Sequence, residues 1–128
     1  MKENCKDTKV QKRRVVGLKY NIFEYDSLLL IEMSGDPKKN ESLFANKTLL
    51  PYLKKKNSNI IVDLKKLHNF DPITLVGILN SIRKETNLFG GCLRLCSLSP
   101  EMRNYFRENR LDHVFRVYKN KEDAKKEH

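Results

Sequence analysis

Long apolar runs are missing from this sequence: the longest, Leu28 to Ile31, spans four residues, against the roughly 20 that a membrane-spanning helix requires. A spanning helix is therefore not expected. The stretch from Met1 to Arg14 is polar and has no apolar h-region, so a secretory signal is not expected either, and the chain reads as a soluble cytoplasmic protein. Cysteine is scarce. Cys5, Cys92 and Cys96 are odd in number, and the last two lie in what reads as one strand, on the order of 13 Å apart at about 3.3 Å per residue. That separation is too long for a disulfide or a shared metal, so buried reduced thiols are expected. Two matches to the glycosylation pattern, Asn40-Glu41-Ser42 and Asn46-Lys47-Thr48, carry no weight without secretion. His68 and His113 stand isolated, and no glycine-rich loop matches a phosphate cradle. Gly90-Gly91 reads instead as a helix-to-strand turn. No enzyme activity, cofactor or metal is expected.

Positive charge is abundant. Twenty-six Lys and Arg against 16 Asp and Glu give a formal net charge of +10 over 128 residues, enough to raise the question of phosphate binding. The basic residues are spread, however, over the amino-terminal segment through Arg14, Lys54-Lys55-Lys56, Lys65-Lys66, Arg103, Arg107 and Arg110, and Lys125-Lys126. Such scatter describes solvated faces and loop ends, and it argues against nucleic acid as the partner.

The hydrophobic pattern alternates between strand and helix. Residues 1–17 read as a basic, mobile tail, and residues 18–127 as one domain, which is the size at which a single core forms. Tyr20 to Glu24 and Leu28 to Met33, either side of Asp26-Ser27, read as a hairpin whose second strand is buried on both faces. Gly35-Asp36-Pro37 breaks the chain, and Leu43, Leu49, Leu50 and Leu53 then fall on one side of a helix over 40 to 53. Ile60 to Leu64 reads as a buried parallel strand, Cys92 to Cys96 as another and Val114 to Tyr118 as a short edge strand. Ser99-Pro100-Glu101 signals a helix start with a capping serine, a proline at the first helical position and an acid in the first turn. Lys121 to Glu127 reads as a final short helix. The expectation is an α/β domain: a mixed sheet of four to five strands, a hairpin followed by parallel strands, with about four helices packed on it. Leu30, Ile61, Val62, Leu75, Leu79, Ile82, Leu93 and Leu95 are the predicted core.

One helix carries an anomaly. Asp71 is a suitable N-cap and Pro72 suits the next position. At 100° per residue, Leu75, Ile78, Leu79 and Ile82 share one face, while Ile73, Gly77, Asn80 and Lys84 fall opposite. An isoleucine stands where polar residues belong, and a mid-helix glycine costs about 1 kcal/mol relative to alanine. A lone exposed isoleucine is common on soluble proteins. Isoleucine and glycine together on that face mark it as a candidate docking surface.

In order and spacing, Asn59 to Leu64, Phe70 to Leu79, Gly90 to Leu95 and Ser99-Pro100-Glu101 resemble the STAS domain of bacterial anti-sigma factor antagonists. Weaker agreement runs back to Met33-Ser34-Gly35 and forward to Leu111 to Phe115, so the resemblance covers roughly residues 18–127. It implies a protein-binding regulator of transcription whose partner is both anti-sigma factor and serine kinase. In the antagonists the helix begins Asp-Ser-Ser-Gly-Leu-Gly, with the second serine phosphorylated. On that pattern Asp71 keeps the aspartate and Leu75 the leucine, whereas Pro72 replaces the first serine, Ile73 the acceptor serine, Thr74 the glycine and Val76 the second glycine. The acceptor hydroxyl is therefore absent, with Thr74 as a substitute of lesser promise. Lys38 stands where the family often has an aspartate in a loop of the partner surface. The helical wheel and the resemblance together give a candidate docking set of Lys38, Asp71, Ile73, Thr74, Val76, Gly77, Asn80 and Lys84. An alternative partner is a transport ATPase, since STAS domains also serve as accessory subunits that need no phosphoserine switch.

Overall fold

A strand at the rim of a sheet leaves one row of amides and carbonyls unpaired, and the chain's first described segment answers that need. The computed structural model describes residues 10–15, 18–25, 28–35, 59–67 and 71–126. Six strands, β1 (Val10–Val15), β2 (Leu18–Glu24), β3 (Leu28–Gly35), β4 (Asn59–Leu67), β5 (Cys92–Cys96) and β6 (Arg116–Tyr118), form one sheet in that spatial order. Both β1–β2 and β2–β3 pair antiparallel, and β3 to β6 run parallel. Helices α1 (Pro72–Leu88), α2 (Pro100–Glu108) and α3 (Lys121–Lys126) follow β4, β5 and β6 in turn. The α/β class and mixed sheet agree with the sequence pattern. The strand count does not, because residues 10–15, expected in a mobile tail, pair with β2 from Val10↔Phe23 to Val15↔Leu18. Backbone pairing recruits a segment whose lysine and arginines hide any apolar alternation. Residues 1–9 and 16–17, and the helix expected over 40–53, lie outside the described residues.

Alternation along the strands divides the core in two. Leu29, Ile31 and Met33 of β3 and Ile60, Val62 and Leu64 of β4 enter the larger cluster, with Leu75, Ile78, Leu79 and Ile82 of α1 and Met102 and Phe106 of α2. Leu30 and Ile61 enter the smaller, with Cys96 of β5 and Ala124 of α3. Thus β3 is buried on both faces, as a strand flanked on both sides in a sheet between helices should be. All eight predicted core residues are buried. Each large aliphatic side chain so placed contributes about 1.5–3 kcal/mol relative to exposure.

Local chemistry fixes where the helices start and stop. Ser99 Oγ accepts from the Met102 N–H at 3.2 Å, with Pro100 next and Glu101 in the first turn. At the other end of α1, the Gly91 N–H donates to the Thr86 carbonyl (2.9 Å) and the Gly90 N–H to that of Asn87 (3.0 Å). This double closure requires a left-handed residue after the helix, and Gly90 supplies it at φ 79°, a conformation glycine adopts without a Cβ clash. β6 begins two residues later than expected. Val114 sits in a turn after a 3-10 segment (Leu111–His113), and Phe115 is buried against Phe106, ring centroids 5.7 Å apart.

Candidate docking face on the first helix

The start of α1 is built from one carboxylate. Asp71 has extended backbone (φ −91°, ψ 117°), and its Oδ2 accepts from the Thr74 N–H at 3.2 Å and from the Thr74 hydroxyl at 2.6 Å. The cap carboxylate thus takes Thr74's hydroxyl as well as its N–H, and only 7% of Thr74 is exposed. Pro72 at the first helical position lacks an N–H that would have had no helical partner. These constraints set the rotation of the helix about its axis, and hence which residues face out.

Ile73 is 77% exposed, and Gly77 and Lys84 are exposed on the same side, with Asn80 half-buried. Asn80 Oδ1 accepts from Arg83 Nη2 at 2.9 Å, and that guanidinium lies over the Phe115 ring, 5.8 Å from its centroid. A Cβ added at Gly77 would meet nothing within 4 Å. No packing inside the domain therefore calls for glycine there. Of the eight residues singled out from the sequence, Ile73, Gly77, Asn80 and Lys84 come together on one stripe, and Asp71 is their half-buried cap. Thr74 is buried and Val76 packs against the larger core, so neither lies on the stripe. Lys38 lies outside the described residues. Leu88, missed in the sequence, extends the stripe: it is 74% exposed and only about 60° around the helix from Ile73 at 100° per residue. Continuing the helical wheel past Lys84 would have found it. The stripe offers an apolar knob at Ile73, bare backbone with open space above it at Gly77 and a cation at Lys84. It can bind a surface of matching shape.

A polar row crosses the opposite face of the sheet. Glu32, Asp63, Cys96 and Tyr118 are successive register partners on β3 to β6. Lys121 of α3 reaches Glu32 Oε2 at 3.2 Å and Asp63 Oδ2 at 4.0 Å. Burial works against the ammonium, but the hydrogen bond to Glu32 and the charges of Glu32, Asp63 and Glu122 outweigh it and hold Lys121 above the ordinary lysine range. Burial, and then the Asp63 charge, push the Cys96 thiol up to about 12, which makes it inert. Cys92 is half-buried, short of the full burial expected, because it opens β5 at the strand's rim. Cys5 and His68 lie outside the described residues, whereas His113 is exposed beside Asp112 at 3.9 Å. Among the described residues no group of three His, Cys, Asp or Glu could hold a metal ion, and no helix is long and apolar enough to cross a membrane.

A parallel-stranded core extended by an antiparallel pair, with a capped helix presenting its first turn outward after β4, defines a STAS-type domain. The sequence profile of the STAS domain matches residues 20–124, and the chain belongs to that family. Among solved structures, an anti-sigma factor antagonist from Mycobacterium paratuberculosis superposes with a TM-score of 0.70 at 16% identity, covering 84% of this chain and 90% of the other. An anti-sigma-factor antagonist (STAS) domain protein from Planctomyces limnophilus gives 0.64 at 18%, covering 82% and 93%. The Bacillus cell fate determinant SpoIIAA in its phosphorylated form gives 0.58 at 17%, covering 92% and 98%. At these identities the likeness speaks for the fold. No curated protein matches the sequence.

Proposed function

We propose that this chain is a non-catalytic, protein-binding regulator of the anti-sigma factor antagonist kind, docking through the exposed stripe of α1 and carrying no phosphoserine switch there. The observation that carries the reading is Ile73, an isoleucine exposed in the first turn of a helix whose next outward position is a glycine with open space around it. An exposed apolar side chain beside uncovered backbone has no use within the domain, whereas a partner can desolvate one and pack against the other. In the family pattern the acceptor serine stands at this position. A phosphate of about −2 charge fits at a helix start and would repel or desolvate poorly against a docked partner; isoleucine retains the contact and cannot be modified in that way. Thr74 is a poor substitute, since its hydroxyl is buried and engaged by Asp71, away from any kinase. The domain on this reading behaves as permanently unphosphorylated and as a cytoplasmic partner of an anti-sigma factor that is also a serine kinase.

A photo-crosslinking amino acid at position 77, expressed in the native cells, tests the reading, with Ile73→Glu introduced as the control. The expected product is a crosslink to an anti-sigma factor, lost in the Ile73→Glu background. Capture of a transport ATPase subunit would favour a constitutive accessory role, which the missing acceptor hydroxyl also suits. Crosslinking unaffected by Ile73→Glu would remove the α1 stripe as the docking face. Intact mass after incubation with that kinase and ATP supplies the second readout: phosphate taken up only by Ile73→Ser supports the lost switch, and phosphate on the parent that disappears in Thr74→Ala refutes it.

A further inference from the structure

We propose that the cleft beyond the carboxyl ends of β5 and β6 is a binding site for a small organic anion, a phosphate or similar group carried on an apolar ring or chain. The cleft, about 260 Å³, is lined by Leu98, Arg103, Val117, Tyr118 and Lys119. Its existence follows from topology. Cys96 and Tyr118 are register partners at the ends of two parallel strands, after which one chain turns into α2 and the other into α3. Chains diverging from adjacent parallel strands leave a crevice at this end of the sheet, the end where open α/β sheets bind ligands. One backbone bond ties the two walls together just past the strands, the Ser97 N–H donating to the Tyr118 carbonyl at 3.3 Å. Ser97 itself holds a left-handed backbone, φ 64°, uncommon for a residue with a side chain.

The lining separates into two chemistries. Leu98 and Val117 both belong to or pack against the larger core, so they cannot retreat, and they give the cleft an apolar floor that water solvates poorly. Arg103 and Lys119 are exposed, and among the described residues neither forms an ion pair. Among the described residues no carboxylate lines the cleft. Two cations from different elements thus line one recess, and among the described residues neither has a neutralising partner. An apolar floor under a cationic rim favours a ligand that has both parts, because an inorganic ion leaves the floor wet and a neutral ring leaves the rim unpaired. The size suits a single ring: about 260 Å³ lies just below the roughly 300–1,000 Å³ of pockets for drug-sized ligands. This site is separate from the α1 stripe and does not depend on the docking proposal.

The test is a titration of the full, isotope-labelled chain with phenyl phosphate, followed by amide resonances. Saturable shifts are expected at Leu98, Arg103, Val117, Tyr118 and Lys119, with inorganic phosphate alone and phenol alone each binding at least about tenfold more weakly. The Arg103→Glu/Lys119→Glu variant should weaken phenyl phosphate binding by about tenfold or more, as losing a charge-assisted contact predicts. Both side chains are exposed, so the remaining spectrum should stay in place; the milder Arg103→Gln/Lys119→Gln pair serves if it does not. Shifts absent from these residues up to the solubility limit of phenyl phosphate, or undiminished in both double variants, would overturn the site. Equal binding of inorganic phosphate would refute the role of the floor, and equal binding of phenol that of the rim, and either result defeats the proposal as stated.

Discussion

The two faces of the sheet are built on different principles. Against α1 and α2 the strands present aliphatic side chains almost exclusively, and cohesion there is a matter of area and shape. Against α3 the same strands present Leu30 and Ile61, and then, two residues along, the Glu32–Asp63–Cys96 row held by Lys121. A short helix of six residues has little apolar area to offer; among the described residues Ala124 is its one fully buried side chain. Electrostatic closure therefore supplements packing. The lesson is that one sheet can be insensitive to pH on one side and dependent on it on the other.

The sharpest way to break this contrast is to cut into the aliphatic face. Leu79→Ala should cost about 2–5 kcal/mol, from lost transfer energy and the cavity left behind, measured by chemical denaturation and unchanged between neutral and alkaline pH. A loss below about 1 kcal/mol would mean that this face is loosely packed.

Lys121→Met comes next. Removing the ammonium leaves two partly or fully buried carboxylates side by side, for which about 1–3 kcal/mol is expected, smaller than the aliphatic loss because Lys121 is partly exposed. A variant as stable as the parent at pH 7 would show that packing alone holds α3.

Alkaline titration sharpens the comparison further. Burial and the Asp63 charge raise Cys96 from 9.0 to about 12, so the folded state binds that proton more tightly than the unfolded one. Its contribution is complete below pH 9 and is lost as pH rises from 9 through 12. Lys121, also raised in the folded state, loses its contribution in the same direction above its ordinary range. Melting temperature should fall above pH 9 in the parent and less steeply in Cys96→Ala. Parallel curves for the two proteins would remove the thiol from the account.

The smallest effect is expected at the proposed docking stripe. Ile73→Glu should change stability by no more than about 0.5 kcal/mol, since the side chain is exposed and its helix position is otherwise undemanding, while abolishing partner capture. A large stability loss would place Ile73 in the domain's own packing.

Much of this architecture is legible in the sequence because it is written locally. Asp71-Pro72 and Ser99-Pro100-Glu101 announce helix starts through backbone chemistry a few residues long, and the spacing of Leu75, Ile78, Leu79 and Ile82 needs only a helical period to be read. The stripe through Ile73 and Gly77 was legible for the same reason. What escaped depends on distant pairing. Val10 to Val15 has no strand signature of its own and becomes β1 only because β2 offers it an edge. The Glu32–Asp63–Cys96 row requires the relative register of three strands, and the cleft at Arg103 and Lys119 requires a helix after one strand to meet the chain leaving another. Thr74 illustrates an intermediate case: its place in the first turn was clear, but its choice of Asp71 over a backbone carbonyl depends on rotamers.

One rim of the sheet bears on how the protein behaves at high concentration. β6 is three residues long. So brief an edge offers too few backbone groups to template a neighbour, and its shortness works against strand-to-strand self-association at that rim.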